Sequence, residues 1–129
     1  MMTEPPNLLA GWLAMLGGVL SGAIIGLSFH REDWLGGYYS HRRRLIRLGH
    51  ISFFGLGFMN VLFALSLPAF DLPPLHAAVA SLCLLIALIT MPVCCFLTAW
   101  RKRLRHLFPL PVTAAAVAVM AVLAGAARQ

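Results

Sequence analysis

The sequence predicts an all-α integral membrane protein: an antiparallel bundle of four transmembrane helices forming a single domain over residues 1–129, with both termini on the outer side of the membrane. Three observations predict it. First, 60% of the 129 residues are hydrophobic and 11% charged, with a mean hydropathy of +0.86, well above the roughly half-apolar make-up of a soluble domain. Second, the charges cluster, leaving uncharged stretches at 5–30, 48–70, 72–100 and 106–127, of 26, 23, 29 and 22 residues. Each is long enough for a hydrocarbon core about 30 Å thick. Third, nine of the ten Lys and Arg residues lie in two of the connecting loops. The composition excludes a soluble globular fold, and also intrinsic disorder, which needs few hydrophobic residues and many charges.

The first span covers about 8–29, after Pro5-Pro6. A cleaved signal peptide would carry a basic start and an apolar run of about 7–15 residues. Here no Lys or Arg precedes Arg31 and the run from Leu8 to Phe29 is longer, so the segment is expected to remain as a helix. Ala14, Gly18, Gly22 and Gly26 recur every four residues, with His30 one step further. Such a small-residue groove admits a second backbone closely, either within the bundle or as a docking face for a partner subunit.

The second span, about 48–67, follows Gly36-Gly37 and a helix start at the Arg42–Arg44 cluster, where Ser40 is the expected N-cap; Pro68 is expected to stop it. His50, Phe53, Phe54, Gly57, Val61 and Ala64 share one face, with Asn60 at its edge. An amide in apolar surroundings must find a partner, and Thr90 or Cys94 is the expected one.

The third span, about 75–99, starts at Pro73-Pro74, where missing N–H groups cost little, and Pro92 should kink it. Its His76, Ala80, Cys83, Ala87, Thr90, Cys94 and Thr98 fall on one stripe, which is expected to face protein. The fourth span, about 107–126, is Ala-rich and begins at Pro109 and Pro111.

Orientation follows from the short loops. Arg31, Arg42, Arg43, Arg44 and Arg47 lie in one, Arg101, Lys102, Arg103 and Arg105 in another, so both loops are expected in the cytoplasm. The net charge of +6 then reflects orientation and anionic lipid rather than nucleic acid, with headgroups at Arg42, Arg43, Arg44, Arg101, Lys102 and Arg103. Trp34, Tyr38, Tyr39 and Trp100 beside these cations read as an aromatic belt. Nine arginines against one lysine hint at a GC-rich genome and a bacterial inner membrane.

Five histidines invite a haem reading. Only His50 lies both inside a span and on an inward face. A bis-histidine b-type haem would take His30 or His106 as its second ligand, with space beside Gly57 and propionates at Arg43 and Arg47. No Cys-x-x-Cys-His is present, which excludes covalent haem attachment. Cys83, Cys94 and Cys95 share one helix and have neither disulfide nor zinc spacing, so no metal is expected. Glu4, Glu32, Asp33 and Asp71 lie outside the spans, leaving no intramembrane carboxylate for proton coupling. No P-loop or nucleophile elbow occurs, and no internal repeat suggests a transporter.

The stretch from Trp34 to Phe63, WLGGYYSHRRRLIRLGHISFFGLGFMNVLF, resembles in layout the small four-helix membrane subunits of electron-transfer complexes, a likeness of type without a family motif. The leading expectation is a non-catalytic accessory subunit of a larger membrane complex, with Ala14, Gly18, Gly22, Gly26 and Asn60 forming packing or partner interfaces. The alternative is an electron-transfer subunit binding b-type haem or quinone near His50.

Overall fold

A computed structural model describes residues 6–128. Among them lie four α-helices, α1 (Pro6–Leu27), α2 (His41–Phe70), α3 (Pro74–Trp100) and α4 (Pro109–Ala126), and no strand. Short 3₁₀ segments at Trp34–Gly36 and Lys102–Leu107 occupy the first and third connections. All four helices are long and apolar enough to cross a membrane, the fourth together with the 3₁₀ segment before it. That character is compatible with an integral membrane location.

The helix ends follow local chemistry. Ser40 caps α2, its hydroxyl accepting from the Arg43 amide at 3.2 Å and donating to the Leu35 carbonyl at 2.8 Å. Gly36 and Gly37 both take positive φ, 88° and 90°, a region open to glycine without Cβ strain. Pro74 and Pro109 open their helices. Pro68 does not stop α2, contrary to expectation. The helix runs on to Phe70 and ends where Asp71 turns left-handed at φ 39°, because a proline within the last turn forfeits one hydrogen bond that a packed helix can spare. α3 likewise continues through Pro92.

Packing runs in sequence order, and the contacts set antiparallel registers. On α1 the buried residues are Asn7, Gly11, Ala14, Met15, Gly18 and Ile25. A methyl group built on Gly11 would lie 2.6 Å from Val61 Cγ2 and 2.7 Å from the Gly57 carbonyl; one on Gly18 would lie 2.6 Å from Phe54 Cε2, and one on Gly22 2.7 Å from His50 Cε1. The α1 groove is therefore filled by α2. Gly26, grouped with it by the four-residue spacing, is exposed with nothing within 4 Å of a built Cβ. A step of four residues rotates about 40° beyond a full turn, so three steps carry Gly26 off the face that Ala14 shares.

α2 meets α3 through Gly49 on Phe96 and Cys95, and through Phe63 in a cluster with Ala80 and Leu84. α3 meets α4 through Ala118 in that same cluster, and through Gly125 on His76, with Leu72 of the preceding connection beside it, at the end of the bundle away from the arginines. α3 is thus central, buried on more than one side: Ala80, Leu84, Ala87, Leu88, Pro92, Cys94, Cys95, Thr98 and Ala99 are all buried. The single protein-facing stripe expected for it is too narrow, since Cys95 off that stripe is buried while Cys83 and Thr90 on it are only half-buried. α4 buries just Pro111, Ala114, Ala118 and Gly125.

The closest backbone approach, Gly11 on Gly57, makes a direct prediction. Gly11→Ala should destabilise the fold by about 1–3 kcal/mol, the usual penalty for overpacking. Gly55→Ala, where a Cβ meets nothing within 4 Å, should be neutral or stabilising because alanine is the better helix former. Unfolding by SDS in mixed micelles, followed by circular dichroism, separates the two; equal effects would refute the crossing.

Candidate functional site

The most elaborate polar arrangement inside the spans joins three helices. Asn7 on α1 donates from Nδ2 to Asn60 Oδ1 on α2 at 2.8 Å and to the Ser81 carbonyl on α3 at 3.1 Å. The Ser81 hydroxyl donates in turn to Asn7 Oδ1. Asn60 Nδ2 donates to the carbonyls of Leu56 at 2.8 Å and Leu84 at 3.3 Å. Both asparagines are 0% exposed. Every amide hydrogen and each amide oxygen has a partner, so the cluster is closed and offers no free group to a ligand.

The expected pairing of Asn60 with Thr90 or Cys94 is corrected. The α2–α3 register sets Asn60 opposite Leu84, about a turn and a half away from Thr90, whose hydroxyl donates to its own Ile86 carbonyl at 2.7 Å. Asn7 was missed because it sits beside the prolines that mark the helix start. Its identity as an amide next to an uncharged span was the available signal.

His50 does not face another imidazole. Its Nδ1 shares a hydrogen bond with the Ser21 hydroxyl at 3.0 Å, and its ring stands edge-on to Phe54 at 5.5 Å. In the register that pairs Gly22 with His50, His30 falls level with Arg42. It is exposed and bonded through Nδ1 to the Leu27 carbonyl at 2.9 Å. His106 is exposed on the segment between α3 and α4. The space that Gly57 was expected to leave for a ring is filled by the Gly11 carbonyl and Met15 Cγ, each 3.0 Å from a built Cβ. His50 and Gly57 are thus packed against α1 on the face where a ring was expected. Among the described residues, no group of three or more His, Cys, Asp or Glu side chains is arranged to hold a metal ion.

The arginine-rich end has its own organisation. Arg43, expected at lipid headgroups or propionates, is instead 5% exposed. Its guanidinium lies 5.3 Å from the Phe29 ring centroid, 5.6 Å from Trp34 and 5.6 Å from Tyr38, and donates to the Glu32 carbonyl at 3.4 Å. Arg47 covers the other ring contact of Tyr38 at 4.3 Å. Trp34 and Tyr38 thus hold the first connection onto α2 by cation–π contacts, rather than serving only as a belt. Arg42, Arg44, Arg101, Lys102 and Arg103 are exposed. Between the Trp34–Gly36 segment and the end of α3 opens a cleft of about 430 Å³, lined by Leu35, Gly36, Ser40, His41, Arg42, Ala99, Trp100 and Lys102.

A second depression, about 660 Å³ and almost wholly apolar, runs between α3 and α4 along Leu75, His76, Val79, Thr113, Ala116, Val117, Met120 and Ala124. Compared with protein-family models, curated proteins and solved structures, the chain matches none.

The closed amide cluster predicts a specific pattern of loss. Asn60→Leu leaves the Asn7 amide short of an acceptor and should cost about 1–3 kcal/mol. Asn7→Leu with Asn60→Leu should cost less than the sum of the two single changes, since neither orphans the other. A double-mutant cycle from SDS unfolding measures the coupling, and strict additivity would show the amides to be independent.

Proposed function

We propose that the protein is a non-catalytic accessory subunit of a larger membrane complex, embedded by its four helices with the arginine-rich connections in the cytoplasm and both termini outside, as in a bacterial inner membrane. The observation that carries this reading is the incomplete covering of α4. That helix buries four residues against its neighbours and leaves the apolar α3–α4 groove open along Thr113, Ala116, Val117, Met120 and Ala124. Small side chains at this spacing favour close approach of another transmembrane helix, and the occupant proposed is one apolar helix of a second subunit. The Ala14–Gly22 groove, by contrast, is already used within the chain.

The chemistry of the interior supports a non-catalytic role. The Asn7–Asn60–Ser81 cluster is internally satisfied, and His50 is bonded to Ser21 and packed on α1. The nine cations at one end, against only Glu32 and Asp33 there, favour the positive-inside orientation and contact with anionic headgroups at Arg42, Arg44, Arg101, Lys102 and Arg103.

Orientation is checked with reporters fused after Arg128: alkaline phosphatase should be active and green fluorescent protein dark. The reverse would invert the topology. Assembly is checked by extracting the tagged chain from its native membrane in polymer-bounded discs. A second membrane protein should co-purify in fixed stoichiometry, be lost with Ala116→Leu plus Ala124→Leu, and be kept with the exposed α1 change Leu20→Ala. Recovery of the 14.0 kDa chain with lipid alone would refute the accessory reading.

A further inference from the structure

The cleft at the arginine-rich end combines features that a phosphate group would use. His41 and Arg42 enter it from the first turn of α2, and Lys102 approaches it from the segment after α3. Two elements far apart in sequence therefore bring cationic side chains to one opening, and no carboxylate lines it. Arg42 and Lys102 are exposed, so their charges need no partner from the protein and remain available.

The backbone adds donors at the same place. Ser40 accepts the Arg43 amide through its hydroxyl and the Arg44 amide through its carbonyl. Among the described residues the amides of His41 and Arg42 have no acceptor, and they are the orphan donors of the first turn. They belong to two of the residues that line the cleft, at the end of a helix dipole that favours an anion. The remaining wall is apolar, from Leu35, Ala99 and Trp100. Trp100 is 59% exposed, which suits a ring lying at the boundary of water and acyl chain.

We propose that this cleft is a phosphate-binding site, seating the phosphate of an anionic phospholipid headgroup between Arg42 and Lys102, with the glycerol and acyl portion leaving past Trp100. The inference narrows the general headgroup contact proposed above to one site. It rests on that reading for the membrane setting, but not for the partner subunit. Charge-assisted hydrogen bonds to phosphate are about twice as strong as neutral ones, and the apolar wall shields them from water on one side.

The test uses the full chain in discs of phosphatidylcholine alone or doped with phosphatidylglycerol, with retained lipid read by native mass spectrometry after transfer to a neutral detergent. Phosphatidylglycerol should be retained by the natural sequence and by the charge-matched control Arg31→Gln plus Arg105→Gln. Arg42→Gln plus Lys102→Gln should bind it about tenfold more weakly or worse. A parallel titration of inorganic phosphate, read as a thermal shift, separates the sources. A shift lost only in the cleft variant, without lipid retention, supports the site with soluble phosphate as its ligand. Equal loss in cleft variant and control, or no loss in either, overturns the proposal and leaves a diffuse basic surface. All four changed residues are solvent-exposed, and unaltered helicity by circular dichroism is the condition for comparison. Discs present both faces to the same lipid, so a wrong orientation or a missing partner would leave this result untouched.

Discussion

The hydrogen bonds among Asn7, Asn60 and Ser81 fix the level at which three helices meet, and the other close contacts follow from that level. A hydrocarbon surrounding offers an amide nothing to bond with, so two asparagines at different heights would each be stranded. Once Asn7 and Asn60 are level, the antiparallel α1–α2 pair is committed: Gly11 falls on Gly57, Gly18 on Phe54 and Gly22 on His50. The same amide fixes α3, because Asn60 reaches the Leu84 carbonyl and Ser81 reaches Asn7. Apolar packing between lipid-like faces has little preference among sliding registers. Hydrogen-bond closure supplies the preference, and the glycines allow the backbones near enough to satisfy it.

Glycine does two opposite jobs along that interface. At Gly11 and Gly57 each helix presents backbone to backbone, so a Cβ on Gly11 would collide with a carbonyl that cannot rotate away. At Gly18 and Gly22 the absent side chain makes room for the large rings of Phe54 and His50. Overlap with Phe54 can be relieved by a rotamer change, whereas overlap with the Gly57 carbonyl requires a shift of the whole helix. The crossing point is therefore the least tolerant position of the pair.

Much of the architecture was legible because four helices long and apolar enough to cross a membrane are written in the spacing of charges and prolines. Four spans, the Ser40 cap and the proline-led starts of α3 and α4 follow from single residues acting locally. The register was not legible. Asn60 could be seen to need a partner, but choosing among Asn7, Thr90 and Cys94 depends on which pairs lie level, and periodicity carries no information about level. The glycine face was partly legible: Ala14, Gly18 and Gly22 belong to it, while the strict four-residue step admitted Gly26 and omitted Gly11. The face shared by His50 and Gly57 was legible too, but not that α1 covers it.

Arg43 marks the division of the basic end into a structural part and an available part. Removing a guanidinium from water costs several kcal/mol, and no carboxylate side chain is bonded to Arg43 in return. Three aromatic faces and the Glu32 carbonyl take that place. A cation over a ring contributes up to about 2 kcal/mol when desolvated, so several rings around one guanidinium can offset much of the loss. The arrangement draws the first connection down onto α2, which sets Leu35 and Gly36 opposite the end of α3 and so shapes one wall of the cleft beside Arg42 and Lys102. One arginine is spent on building that wall. Its neighbour Arg42, one residue earlier and about 100° around the helix, is turned out to where an anion can reach it.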